Sequence, residues 1–236
     1  MISDIRISKK ILDQQGYMLS FPVTASPFDL AQLMCGEEFL LSLMAAPGKA
    51  MDFLSRLSHL AIELINLVKS EMGQPHNEYI TNRGMFFDGL RLPCDAIVNY
   101  SPCLIRDFVL PVLKKFADSF VKLCIHFCTE PAPSGHVLPI LCETDFVAAV
   151  DNWQGPEVFI GDKSPSRSQD KIAVVSSLDI ATPEKMDAFL QSRAVKFVPR
   201  KGGRGLVVAT DVESVEHGKR IYEQWNQKWE EYYETN

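Results

Sequence analysis

The sequence predicts an α/β protein in which about six parallel strands are joined by helical crossovers. Apolar runs of strand length alternate along the chain with longer segments of helical period, which is the pattern of a parallel sheet covered by helices. Of the 236 residues, 46% are hydrophobic and 23% are charged, as in an average globular protein. We therefore expect residues 1–236 to form a single domain around one core.

Six segments carry the strand signal, since each is a short apolar run bounded by polar or turn-forming residues. The predicted strands are 17–24, 96–100, 121–128, 146–151, 172–178 and 205–210.

The clearest predicted helix spans residues 49–72, where apolar side chains recur on one face and Gly73 follows as a C-terminal stop. Shorter helices are expected to begin after Ser26 and after Thr182. Each of these two residues can cap a helix and is followed by a proline, which suits the first helical position.

Two further helices are predicted at 104–120 and 215–233. Within the first, Pro111 requires a position near the first turn or at a kink, because proline lacks a backbone N–H. Within the second, Trp225 and Trp229 lie one turn apart and share a face.

Composition excludes several classes of function. The formal net charge is -6 and the isoelectric point is near 5.4, which argues against a nucleic-acid partner. Residues 1–15 lack the apolar run of a secretory signal, and no stretch reaches membrane-spanning length. The six cysteines are scattered and indicate reduced thiols. We therefore expect a cytoplasmic protein that binds neither nucleic acid nor a membrane.

Several short motifs follow one another in a particular order and spacing. They are FPVTASP at 21–27, Ser-Pro at 101–102, IHFC at 125–128, SLD at 177–179 and GLVV at 205–208. In that order and spacing they resemble the uroporphyrinogen decarboxylase family. The resemblance implies a TIM-type (β/α) barrel with its active site at the carboxyl ends of the strands. It begins at the family's third strand, so we expect an incomplete barrel.

A possible metal site follows from the family's zinc-dependent methyltransferase branch, which moves methyl groups between corrinoids and thiols through a His-x-Cys pair. His126 and Cys128 match that pair, and their spacing of two places both side chains on one face of a strand. The resemblance implies a third ligand after the last strand, where Asp211 is the candidate for Zn²⁺. His136 and Cys142 are alternative ligands. The competing interpretation is that the pair consists of inward-facing core residues.

Three aspartates are candidate catalytic residues. Asp151 and Asp179 close predicted strands, where a barrel places its functional groups, and the resemblance places Asp95 near the pocket. Asp95 and Asp179 have simpler alternatives as turn or capping residues. The basic, glycine-rich segment 200–205 is either an anion-binding loop or a flexible turn, and 161–171 is a polar loop.

Three functions stay open. The His-x-Cys pair favours a methyltransferase-like enzyme whose small-molecule partner is a corrinoid or a thiol methyl acceptor. Decarboxylation of a tetrapyrrole is the alternative, but no segment matches the arginines and the aspartate that the family's first two strands supply. A non-catalytic remnant serving as a binding or assembly subunit is the third. Because an incomplete barrel exposes strand edges and apolar interior, we expect a homo-oligomer or a partner subunit that completes it.

Overall fold

The structure is a computed structural model that describes residues 2–17, 19–80, 86–128, 135–152, 172–177, 180–192 and 206–235. Within these residues it is a mixed α/β protein with parallel strands, as the sequence predicts. The chain divides into two compact units. The first comprises Met1–Phe127 and Thr144–Ala148, and the second comprises Cys128–Glu143 and Ala149–Asn236.

The first unit begins with four helices: α1 (Ile2–Gln14), α2 (Pro27–Cys35), α3 (Glu37–Ala45) and α4 (Pro47–Met72). The long helix α4 confirms the prediction for 49–72. It buries Leu54, Leu57, Ile65 and Val68, and it ends at Gly73, whose φ of 66° is the left-handed conformation that glycine adopts without strain. Helix α1 packs against α4.

Four strands follow in the first unit. The hairpin of β1 (Glu78–Ile80) and β2 (Phe86–Asp88) is antiparallel and was not predicted. Strands β3 (Leu90–Pro93) and β4 (Leu123–His126) pair in parallel and are buried along their whole length. Strand β4 confirms the core of the prediction for 121–128.

The predicted strand at 17–24 is wrong, since residues 19–26 form no strand. The backbone groups at the two ends of this segment form hydrogen bonds with partners in other parts of the chain. The side-chain amide of Gln74 donates to the Leu19 carbonyl at 2.8 Å, and Ser26 N–H donates to the Pro93 carbonyl at 2.8 Å. Pro22 has no N–H to offer a ladder.

The predicted strand at 96–100 is also wrong, because Asp95–Asn99 form a 3₁₀ helix and the strand lies earlier, at β3. The carboxylate of Asp29 accepts from the backbone N–H of Ala96 at 2.8 Å and from that of Asp95 at 3.3 Å. A carboxylate in this position accepts from the first backbone N–H groups of the helix, which have no partner within the helix, and so favours helix over strand.

The prediction for 104–120 is confirmed with an irregularity. The segment runs through α5 (Pro102–Leu104), a π-helical turn (Ile105–Val109) and α6 (Leu110–Phe120). Pro111 directly follows the π-helical turn, which is the kind of irregularity that accompanies a proline within a helix.

The second unit contains α7 (Val137–Leu141), most of β5 (Val147–Asn152), β6 (Ala173–Ser177), α8 (Pro183–Gln191), β7 (Leu206–Ala209) and α9 (Val215–Thr235). Strand β6 pairs in parallel with β5 and with β7. In the described residues these elements confirm the predicted strands 146–151, 172–178 and 205–210 and the helix 215–233.

The two predicted helix starts are confirmed as caps. The Ser26 hydroxyl accepts from Asp29 N–H at 3.1 Å, and the Thr182 hydroxyl accepts from Lys185 N–H at 3.4 Å. Helices α8 and α9 pack together around Met186.

None of the described helices combines the length and the apolar character needed to cross a membrane.

Candidate functional site

The candidate site lies where β3 and β4 end. In the parallel register Pro93 faces His126, and Cys94 N–H donates to the His126 carbonyl at 2.7 Å. Asp95 is the next residue beyond that bond. The sheet register therefore brings Asp95, just past the end of β3, beside His126 at the end of β4.

Asp95, His126 and Cys128 form a group of three possible metal ligands, whose donor atoms all lie within 4.8 Å of one another. His126 is buried, with 7% of its surface exposed, while Asp95 and Cys128 are exposed. Cys128 is joined to His126 through the buried Phe127, just past the end of β4, and its thiol lies within that 4.8 Å of a His126 ring nitrogen. Its position beside His126 thus follows from the local backbone.

The donor set suits zinc. A thiolate, an imidazole nitrogen and a carboxylate oxygen are its three usual protein ligands, and bonds of about 2.0–2.3 Å put ligand atoms around a tetrahedral ion roughly 3.5 Å apart. A shift of about 1 Å within the present spacing would meet that distance. Three protein ligands leave a fourth position for an exogenous molecule, as catalytic rather than structural zinc sites do.

Asp29, near the start of α2, supports the backbone that carries Asp95. Its carboxylate accepts from Ala96 N–H and Asp95 N–H, and it also accepts from the Ser26 hydroxyl at 2.9 Å. Burial raises the pKa of Asp29 above its ordinary value, and the hydrogen bonds from Ala96 and Ser26 partly oppose that rise. Asp29 is therefore a positioning residue for Asp95.

Cys94 and Tyr100 lie next to this support and are buried. Burial raises the pKa of both groups, with a smaller contribution to each from the negative charge of Asp29. A thiol with a raised pKa stays protonated, so Cys94 behaves as an inert core residue.

A cleft of about 400 Å³ opens beside Asp95 between α2 and the 3₁₀ helix. Its lining contains two carboxylates, two carboxamides and two apolar side chains, from Asp29, Asp95, Gln32, Asn99, Leu33 and Ala96. The cleft gives a small molecule a route to the carboxylate of Asp95.

Of the other predicted site residues that the structure describes, none is a member of this group. Asp211 is exposed beyond β7, and neither it nor His136 nor Cys142 belongs to the group of three. Asp151 is wholly buried near the end of β5. Asp179, the loop 161–171 and the segment 200–205 lie outside the described residues.

Sequence reasoning missed Asp29. A signal was present, since Ser26 and Asp29 have the Ser-x-x-Asp spacing of a capping box and each uses its side chain at the start of α2. The second role of Asp29, across 66 residues to Asp95, leaves no local pattern.

In comparisons with known proteins, no family model, no curated protein and no solved structure matches this chain.

Proposed function

We propose that this chain binds zinc through Asp95, His126 and Cys128 and uses the site to transfer a methyl group to a thiol. The observation that carries the proposal is the convergence of three zinc-type donors at the carboxyl ends of two parallel strands. Asp95 then takes the third position, which the sequence alone assigned to Asp211.

The proposal includes the finer fold, an incomplete TIM-type barrel of the uroporphyrinogen decarboxylase family. Support comes from the parallel pairs β3–β4, β5–β6 and β6–β7, which occur in chain order with helices between most of them. Functional groups at the carboxyl ends of strands are typical of that architecture.

Each residue has a distinct part in the proposed site. Cys128 supplies the thiolate, which is the strongest of the three ligands. His126 is held by burial, and Asp95 is held by the capping of its own N–H by Asp29. Zinc bound there would favour the deprotonated form of a thiol in the fourth position and so make it nucleophilic.

Metal content gives the first test. Zinc analysis and the thiolate-to-metal absorption of the cobalt-substituted protein should show one ion per chain. Cys128→Ser should abolish both signals, whereas Cys103→Ser changes another exposed cysteine and should leave them intact. Asp95→Asn should lower the affinity for zinc about tenfold or more. Stoichiometric zinc in the Cys128→Ser variant would place the site elsewhere, and no zinc in the parent protein would end the proposal.

Transfer gives the second test. With methylcobalamin as the donor and 2-mercaptoethanol as the acceptor, the thiolate sulfur attacks the methyl carbon and the electron pair of the cobalt–carbon bond stays on cobalt. The visible spectrum of the corrinoid should change at a rate that depends on zinc and on Cys128. Equal rates with and without protein would exclude this activity.

The cleft disfavours the decarboxylase alternative. Among the described residues that line it there is no cation, whereas a polycarboxylate tetrapyrrole requires several cations for its binding. Methyl transfer to a thiol is therefore the better supported of the two enzymatic functions.

Assembly is a second candidate function, because α2 and α3 expose large apolar side chains. Leu33, Met34, Leu41 and Met44 have between 66% and 81% of their surfaces exposed. Contiguous exposed apolar side chains are typical of surfaces that another chain covers. Sedimentation of dilute protein tests this candidate, and a monomer that binds no hydrophobic dye would contradict it.

A further inference from the structure

The cleft beside Asp95 has a chemical character that restricts its ligand. Asp29 and Asp95 contribute carboxylates, while Gln32 and Asn99 contribute amide oxygens and N–H groups. The remaining two lining residues, Leu33 and Ala96, are apolar. Among the described residues of the lining the only charges are negative.

Binding of a metal would not reverse that character. A divalent ion coordinated by the Asp95 carboxylate and a Cys128 thiolate would be neutralised by its own ligands. The carboxyl group of Asp29 would remain in the lining, which among its described residues contains no cation. An anionic ligand would therefore meet repulsion in both the metal-free and the metal-bound protein.

Planar cations fit these groups well. A guanidinium presents N–H donors in a fixed fork that can reach a carboxylate and neighbouring amide oxygens together. A volume of about 400 Å³ admits such a group with a short apolar tail, for which Leu33 at the rim provides a surface.

We propose that the cleft between α2 and the 3₁₀ helix binds a small cationic molecule bearing N–H donors, such as an alkylguanidinium or an alkylammonium, and discriminates against anions. The binding preference itself does not require a metal.

Three ligands of similar size test the preference. Propylguanidinium is a cation, propylurea is its neutral planar match, and butyrate is an anion. Each is titrated into metal-free and zinc-treated protein while the side-chain amide resonances of Gln32 and Asn99 are followed by NMR. Propylguanidinium should shift both resonances and half-saturate at the lowest concentration, propylurea should bind more weakly, and butyrate should produce no shift.

A pair of variants at the rim of the cleft, one with an added positive charge and one without, supplies a matched control. Leu33 is 81% exposed, so Leu33→Lys adds a positive charge without disturbing the core, and Leu33→Met preserves the neutral surface. A unit charge about 7 Å away in water changes affinity by about threefold at low salt. Leu33→Lys should weaken the binding of propylguanidinium about threefold more than the binding of propylurea, because both ligands lose the same apolar contact and only the cation is repelled. Leu33→Met keeps an apolar contact and should leave the ratio of the two affinities unchanged.

The outcomes separate the two proposals. Butyrate binding as tightly as propylguanidinium, or ligand shifts confined to residues outside the cleft, would overturn the inference even if zinc binds at Asp95, His126 and Cys128. Selective binding of propylguanidinium by a protein that takes up no zinc would refute the proposed function and uphold the cleft as a cation-binding site.

Discussion

Replacing Lys69 by methionine should remove a pH dependence of stability that extends from about pH 8 to about pH 10.5. Lys69 lies in the last turn of α4 with only 1% of its surface exposed. Its ammonium donates to the Pro75 carbonyl at 3.3 Å and to the Glu78 carbonyl. It also lies 5.6 Å and 5.9 Å from the ring centroids of Phe21 and Tyr79.

Burial lowers the pKa of Lys69 from 10.5 to about 8, and the charge of Glu78 partly opposes that fall. Because the folded pKa lies below the unfolded one, the folded state holds this proton more weakly. The stability contributed by neutral Lys69 is complete above pH 10.5, falls as the pH decreases, and is absent below about pH 8. A difference of about 2.5 pKa units corresponds to about 3 kcal/mol.

The measurement is the difference in unfolding free energy between the parent protein and Lys69→Met, from urea unfolding at several pH values. Other titrating groups cancel in this difference. The parent protein should gain about 3 kcal/mol relative to the variant between pH 8 and 10.5. Lys69→Arg, which does not titrate in this range, serves as a control for the charge.

A flat difference would refute this reasoning. It would mean that the two carbonyl acceptors and the two aromatic faces stabilise the ammonium as well as water does. Direct titration of the Lys69 Cε resonance would then give a pKa near the ordinary value.

Substitutions at Gly89 and at Asp29 test two further features of the backbone. Gly89 has a φ of 142°, and a Cβ there would collide with the backbone carbonyl of Lys122, so Gly89→Ala should cost more than about 2 kcal/mol in a urea or thermal unfolding experiment. Gly48→Ala, where nothing lies within 4 Å and φ is ordinary, should instead be neutral or slightly stabilising. Asp29→Asn should weaken zinc binding about tenfold by loosening Asp95, and Asp29→Ala should weaken it more. Unchanged zinc affinity in both Asp29 variants would show that Asp95 is positioned by other groups.

Local signals explain what the sequence could predict. The starts of α2 and α8 are predictable because a serine or threonine cap followed by proline marks each one. The end of α4 is predictable because a glycine follows its last residue. The strands β4 to β7 were found because parallel strands are continuous apolar runs. Chain order alone was enough to predict the parallel pairs β5–β6 and β6–β7.

Distant contacts explain the two failed strands. The segment 96–100 is apolar enough for a strand, yet the Asp29 carboxylate, 66 and 67 residues away, supplies acceptors that start a helix at Asp95. In the segment 19–26, likewise, the Leu19 carbonyl accepts from the Gln74 side chain and the Ser26 N–H donates to the Pro93 carbonyl. No pattern within either segment encodes these partners.

The position of Asp95 beside the pair His126 and Cys128 could not be predicted for the same reason. With the strand assigned to 96–100, Asp95 stands before a strand, at the end of a sheet opposite to the carboxyl ends. With the strand at β3, Asp95 follows it and the register of Pro93 with His126 places the carboxylate beside the histidine. A difference of six residues between the starts of the predicted and the observed strand therefore decides whether Asp95 lies beside His126 and Cys128. The Asp29 carboxylate accepts from the N–H groups of Asp95 and Ala96 in the helix that takes the place of the predicted strand.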